Sequence, residues 1–171
     1  MMQNNLLPSV NININPGSAA GLAPSLYIIL VLTLIVLSPA ILVMMTSFTR
    51  IIIVLSFTRS AIGTQQVPPN QVLIGLALFL TLFVMHPTLS DINKNAIQPY
   101  LNSKITEEQA LKQGTAPMRK FMLKQTRTSD LNLFLKLSKE EYQSGIDNLP
   151  MRVVIPAFAI SEIMTAYEMG F

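Results

Sequence analysis

Charge is withheld from one half of this chain. The first 90 of its 171 residues carry only Arg50 and Arg59, both inside the stretch from Thr46 to Pro87, and none lies between Arg59 and Asp91. After Asp91, charges of both signs are spread over helical patterns. An ionised side chain in hydrocarbon is costly, so a chain divided in this way is built for two solvents. Only 12% of residues are charged and 50% are hydrophobic. Globular domains carry about 25% charge, so the deficit points to a bilayer or a large oligomeric interface. The net charge of +3 comes from basic residues mixed with acidic ones. That is a solvated surface, not a nucleic-acid patch. With no Cys and one His, disulfides, thiolate metal sites and thiol catalysis are excluded.

Leu26 to Met45 holds thirteen Leu, Ile or Val and is close to the roughly 20 residues that cross a bilayer. Insertion would gain at most about 4–8 kcal/mol from those side chains. Ser38-Pro39 predicts a kink, which a membrane helix tolerates when neighbours satisfy the freed carbonyl. The residues before it, Met1 to Pro24, are uncharged and include the alternating run Val10 to Asn15 before Pro16-Gly17. They read as a tail, and they lack the basic n-region of a standard secretory signal.

The motif SFTR then occurs twice, nine residues apart. Nine helical residues turn the chain by about 900°, which puts Arg50 and Arg59 on opposite faces. Either the segment leaves the bilayer there, or neighbouring subunits cover it, or the arginines are positive-inside flanking charges. Gly63 to Gln71 predicts a turn, with Gly63 free to take positive φ and Pro68-Pro69 blocking a continuous helix. Asn70 is placed to cap the next helix, Val72 to Met85, which His86-Pro87 is expected to stop. Fourteen residues suit a hairpin arm better than a full span. His86 stands alone in sequence and reads as having no chemical role.

From Asp91 to Pro150 short helices are expected. Thr106 to Gln109 forms a capping box opening one that Gly114 ends. Pro117 opens a second, with Met118, Phe121, Met122 and Gln125 on one face. Ser129-Asp130 caps a third, on which Leu131, Phe134, Leu135 and Ser138 align, and Ser138 to Glu141 caps one more turn. Phe121 and Phe134 read either as core packing between these helices or as subunit contacts, since some 60 residues of short helices make a thin core. From Pro150 the pattern turns apolar again. Ala157, Ser161 and Thr165 form a small-residue stripe that permits close helix approach. Glu162 beside it is either at the water boundary or paired across an interface.

Three stretches, MMTSFTRIIIVLSFTRSAIGTQQVPPNQVLIGLALFLTLFVMHP, QPYLNSKITEEQALKQGTAPMRKFMLKQTRTSDLNLF and PAFAISEIMTAYEMGF, together resemble the FliP family. These are flagellar biosynthetic proteins of the type III export gate, with relatives called SctR in virulence secretion systems. The resemblance covers roughly Leu26 to Phe171. It implies a subunit that assembles in several copies with FliQ and FliR into a helical, pore-forming complex at the base of the flagellar rod. FlhA-like and FlhB-like proteins and unfolded flagellar substrates are the further partners it implies. It also implies an inner-membrane, basal-body location with residues 91–150 on the extracytoplasmic side. Phe121, Arg127, Phe134 and Glu162 fall on matching family positions and are the implied assembly residues. Many family members begin with a cleavable signal peptide. Family chains also continue past the equivalent of Phe171 with two more apolar helices, so the pore lining is expected outside this sequence.

The expected fold is all-α, with membrane-associated helical hairpins and a small extracytoplasmic helical domain. The expected segments are a tail at 1–25, an apolar hairpin at 26–90, a polar helical domain at 91–150 and an apolar helix starting at 151–171. The function read is that of a non-enzymatic export-gate subunit needing no cofactor or metal and binding no nucleic acid. Arg50, Arg59, Gly63, Pro68, Pro69 and Asn70 mark the hairpin. The rival reading is a membrane-anchored extracytoplasmic binding module, with the equivalent virulence-system subunit as a further alternative. A membrane enzyme would need a polar constellation within the apolar segments, and these contain none.

Overall fold

The computed structural model describes residues 19–63, 67–138 and 149–171, and these are all-α. The run at 10–15 and the cap beyond Ser138 lie outside them. The chain divides into two compact units, Met1–Pro39 and Ala40–Phe171. Helix α1, Ala19–Met45, starts ahead of the apolar run, at two alanines, the best helix formers. From Leu26 to Leu37 its described leucines, isoleucines and Tyr27 are exposed in the single chain. Such a surface needs lipid or another protein. Thr33 spends its hydroxyl on the Ile29 carbonyl at 2.8 Å, which lets a polar residue sit in an apolar helix.

Within the second unit, α2 (Phe48–Ala61) and α3 (Asn70–Ile92) flank the turn. Gly63 takes φ of +78° just past the end of α2, a left-handed cap open to glycine at no steric cost. Asn70 is not a cap. Pro69 holds that position and Asn70 is the first residue of α3, because its side-chain oxygen is taken by Arg59 Nη1 at 2.6 Å. On α2 and α3 the hydroxyls of Ser56, Thr58, Ser60 and Thr81 all bond carbonyls four residues back, at 2.6–3.0 Å.

His86-Pro87 does not stop α3. The helix runs through Pro87 to Ile92, continues as a π-helical segment, Asn93–Ile97, and ends in α4, Gln98–Leu101. The rod Asn70–Leu101 is 32 residues long and apolar enough to cross a membrane, as are Leu26–Met45 and Met151–Gly170. Pro87 removes one hydrogen bond, while Leu73, Ala77, Thr81 and Met85 form a buried stripe at four-residue spacing that anchors the helix ahead of it. The wider π turn precedes Pro99, whose ring would crowd the carbonyl four residues back in a regular α-helix. The rod passes residue 90, so the uncharged and charged halves of the chain share one element.

α5 (Glu107–Gln125) is also longer than its sequence suggests. Thr106 caps it as a full capping box, accepting from the Gln109 N–H at 3.3 Å while Gln109 Oε1 accepts from the Thr106 N–H at 3.1 Å. Gly114 does not end this helix and Pro117 does not open another. Gly114 is helical and lies against the π segment, where a Cβ would meet that of Ala96 at 3.4 Å. Close packing offsets its low helix propensity. Replacing Thr106 by Ala should cost about 1 kcal/mol, read as a lower melting temperature with unchanged helix content.

α6 (Thr128–Ser138) begins ahead of Ser129-Asp130, so Asp130 sits in the first turn, not at the cap. α7 (Met151–Gly170) is the hub, packing against α2, α5 and α6. Its Val153, Val154, Ala157 and Phe158 form the core cluster together with Met122, Leu131 and Leu149.

Candidate functional site: two polar residues at the centre of α7

Among the described residues α7 buries two adjacent polar side chains, Ser161 at 0% and Glu162 at 1% exposure. Their neighbours Ala157 and Ala166 are small and fully buried, so other helices approach closely there. Each residue holds a different part of the molecule.

Glu162 binds α2. Its Oε1 accepts from Arg50 Nη2, and Arg50 Nη1 donates to Gln125 Oε1, the last residue of α5, at 3.2 Å. One guanidinium therefore joins three helices that are far apart in sequence. Glu162 Oε2 and Arg50 Nε are buried with no hydrogen-bond partner among the described residues. Desolvating two charges costs several kcal/mol each, and their attraction repays that only with full hydrogen bonding. The half-satisfied pair thus adds little net stability, but either member alone is strongly penalised.

Ser161 holds the α5–α6 corner. The Thr126 hydroxyl bonds the Met122 carbonyl at 2.7 Å, closing α5, and Thr126 then turns to an extended conformation. The Arg127 N–H donates to Ser161 Oγ at 3.0 Å, and Ser161 Oγ donates to Asp130 Oδ2 at 2.7 Å. Arg127 reaches outward, with Nη1 on Glu168 Oε1 at 2.7 Å and Nε 3.8 Å from Asp130. Glu168 lies near the C-terminal end of α7, where a carboxylate is disfavoured by the helix dipole. Arg127 neutralises it.

Phe121 meets Phe158 edge-on, with ring centroids 5.8 Å apart. Phe134 is half-buried against the same core. Arg59 lies away from this cluster, its Nη1 on Asn70 and 3.5 Å from the Pro68 carbonyl. It closes the α2–α3 turn. Phe158 and Glu168 carry no signal in the sequence, and the pattern places Gln125 on a helix face and Asp130 at a cap without pointing to the partners they have here. The small-residue stripe marks Ser161 as a close-packing position, yet nothing local marks it as a hydrogen-bonding hinge. Arg50 and Glu162 are 112 residues apart, beyond any spacing rule. Among the described residues no group of three His, Asp or Glu is placed to hold a metal. The arrangement acts as a joint, with acid and base both committed to fixing helices.

The sequence model of the FliP family matches residues 31–171. The chain belongs to the FliP family. The flagellar biosynthetic protein FliP of Bacillus subtilis is 49% identical over 144 residues, which are 84% of this chain and 65% of that protein. The FliP of Pectobacterium carotovorum is 46% identical over 165 residues, 96% of this chain and 64% of its own. That of Aquifex aeolicus is 44% identical over 167 residues, 96% of this chain and 69% of its own. The chain thus spans about two thirds of the length of these FliP relatives. The matched region contains α2 to α7 whole, so the α7 joint lies inside what this chain shares with the family.

Proposed function

We propose that this chain is a non-enzymatic, pore-forming subunit of the flagellar type III export gate in the bacterial inner membrane. Several copies assemble with FliQ-like and FliR-like subunits, adjoin FlhA-like and FlhB-like proteins, and pass unfolded flagellar proteins outward. The observation that carries this is the family match over 31–171. The name shared by the relatives favours the flagellar system over a virulence one. α3 exposes Phe79 at 69% and Phe83 at 75%, one turn apart, on a rod apolar enough to cross a membrane, a face that lipid or a neighbouring subunit covers.

In this reading residues 26–90 and 151–171 are apolar arms of the gate, and 91–150 lie on the extracytoplasmic side. Phe121, Phe134 and Glu162 act on assembly from inside the chain, by fixing the surface that α5 to α7 present. Arg127, with a side chain 36% exposed, is the one among the four that reaches the subunit surface. The test is co-expression with the FliQ-like and FliR-like partners, extraction in detergent and native mass spectrometry. The expected result is a discrete hetero-oligomer containing several copies of this chain. A monomer in the presence of both partners overturns the proposal.

A further inference from the structure

Helix α1 ends at Met45 and α2 begins at Phe48, with only Thr46 and Ser47 between them. Gly and Pro are the usual helix breakers, yet neither occurs between Pro39 and Gly63. Met, Thr, Ser and Phe are ordinary helix residues. Ser47 has φ of −70° and ψ of 1°. Its φ is already helical, so a ψ rotation of about 40° separates it from an α-helix.

Side chains hold the break. The Phe48 N–H donates to Thr46 Oγ1 at 3.3 Å, and the Thr49 hydroxyl donates to the Val43 carbonyl at 2.7 Å. In a continuous helix the Phe48 N–H bonds the Met44 carbonyl, and the Val43 carbonyl takes the Ser47 N–H. The two arrangements thus trade hydroxyl bonds for backbone bonds of similar net strength. Ser47 Oγ is buried with no partner among the described residues. The broken form bears that cost, because a helical serine bonds the carbonyl four residues back.

The contacts that offset it lie beside the break. One turn on, Arg50 reaches Glu162 and Gln125. Met45, the last residue of α1, packs against the core cluster of α5 to α7. We propose that the α1–α2 junction is a two-state element. Docking of Met45 and Arg50 on the α5–α7 core breaks it, and without that docking α1 continues into α2 as one helix. The Val43 carbonyl is the switching atom, held by the Thr49 hydroxyl in one state and by the Ser47 N–H in the other. The α7 joint thereby decides whether α1 and α2 are one element or two.

The chain has no cysteine, so spin labels on Ile41→Cys and Ile62→Cys, at sites 47% and 69% exposed, report on this junction by pulsed electron paramagnetic resonance in detergent. A continuous helix holds the two Cα atoms about 32 Å apart, and the broken form holds them closer. The labelled parent should give the shorter distance. Arg50→Met should add a population at the longer one. Thr46→Val with Thr49→Val keeps the Arg50–Glu162 pair and removes two hydrogen bonds special to the break, so it should enrich the longer population about tenfold over the parent. Adding Ser47→Pro should abolish that population, since proline accepts a φ of −70° but cannot donate to Val43. A distance that stays short in both Arg50→Met and the threonine double variant overturns the proposal. So does a broad distribution without the longer peak, which would make the junction a loose linker. A longer population that survives Ser47→Pro overturns it as well.

Discussion

Replacing Arg50 by Met should destabilise the unit Ala40–Phe171 by about 3–5 kcal/mol, because it strands a buried carboxylate. Glu162 is 1% exposed and Arg50 23%, so the two halves of the pair are unequal. Glu162→Leu leaves a guanidinium that keeps Gln125 and can turn toward solvent, and should cost less, about 1–3 kcal/mol. The double variant, with Met and Leu filling similar volume, should recover most of the loss, since replacing both members of a buried pair is often neutral. Thermal melting of the helical signal in detergent measures all four proteins. Equal losses for the two single variants, with none recovered in the double, would mean that the charges hold the fold through some other contact.

Phe158→Ala should cost about 3–5 kcal/mol. Its ring is fully buried in the cluster where α5, α6 and α7 meet, and truncation leaves a cavity against the edge of Phe121. The half-buried Phe121 and Phe134 should cost less, about half as much. Comparing the three separates folding from assembly. If Phe121→Ala or Phe134→Ala abolishes multi-copy species while leaving the melting curve in place, that ring is turned to another chain. If both losses move together, the ring acts through the core.

The two-solvent character was plain in the sequence because charge placement is a one-dimensional property. So was the Thr106 capping box, which is local chemistry over four residues. Helix ends read from Gly and Pro were the weak point. Gly114, Pro117 and Pro87 all lie inside helices, because packing across α3, α5 and the π segment outweighs a propensity cost of about 1–3 kcal/mol. Asn70 has a capping side chain, but its oxygen is claimed by Arg59 across the turn. The α7 joint was half visible. Glu162 stands out in the sequence as a carboxylate among apolar residues, and pairing across an interface is one of the two readings it supports. Its partner within the chain is Arg50, and that pairing exists only once α2 and α7 have packed.

Under the proposed function, Arg50 and Glu162 serve the assembly by joining α2, α5 and α7, not by any chemistry of their own charges. The most direct test is native mass spectrometry of co-expressed complexes containing the parent chain, Arg50→Met, Glu162→Leu or both. The multi-copy complex should be depleted most by Arg50→Met, less by Glu162→Leu, and largely regained in the double variant. A double variant as depleted as Arg50→Met alone, with its helices intact, would contradict it and give the charges a role beyond the joint.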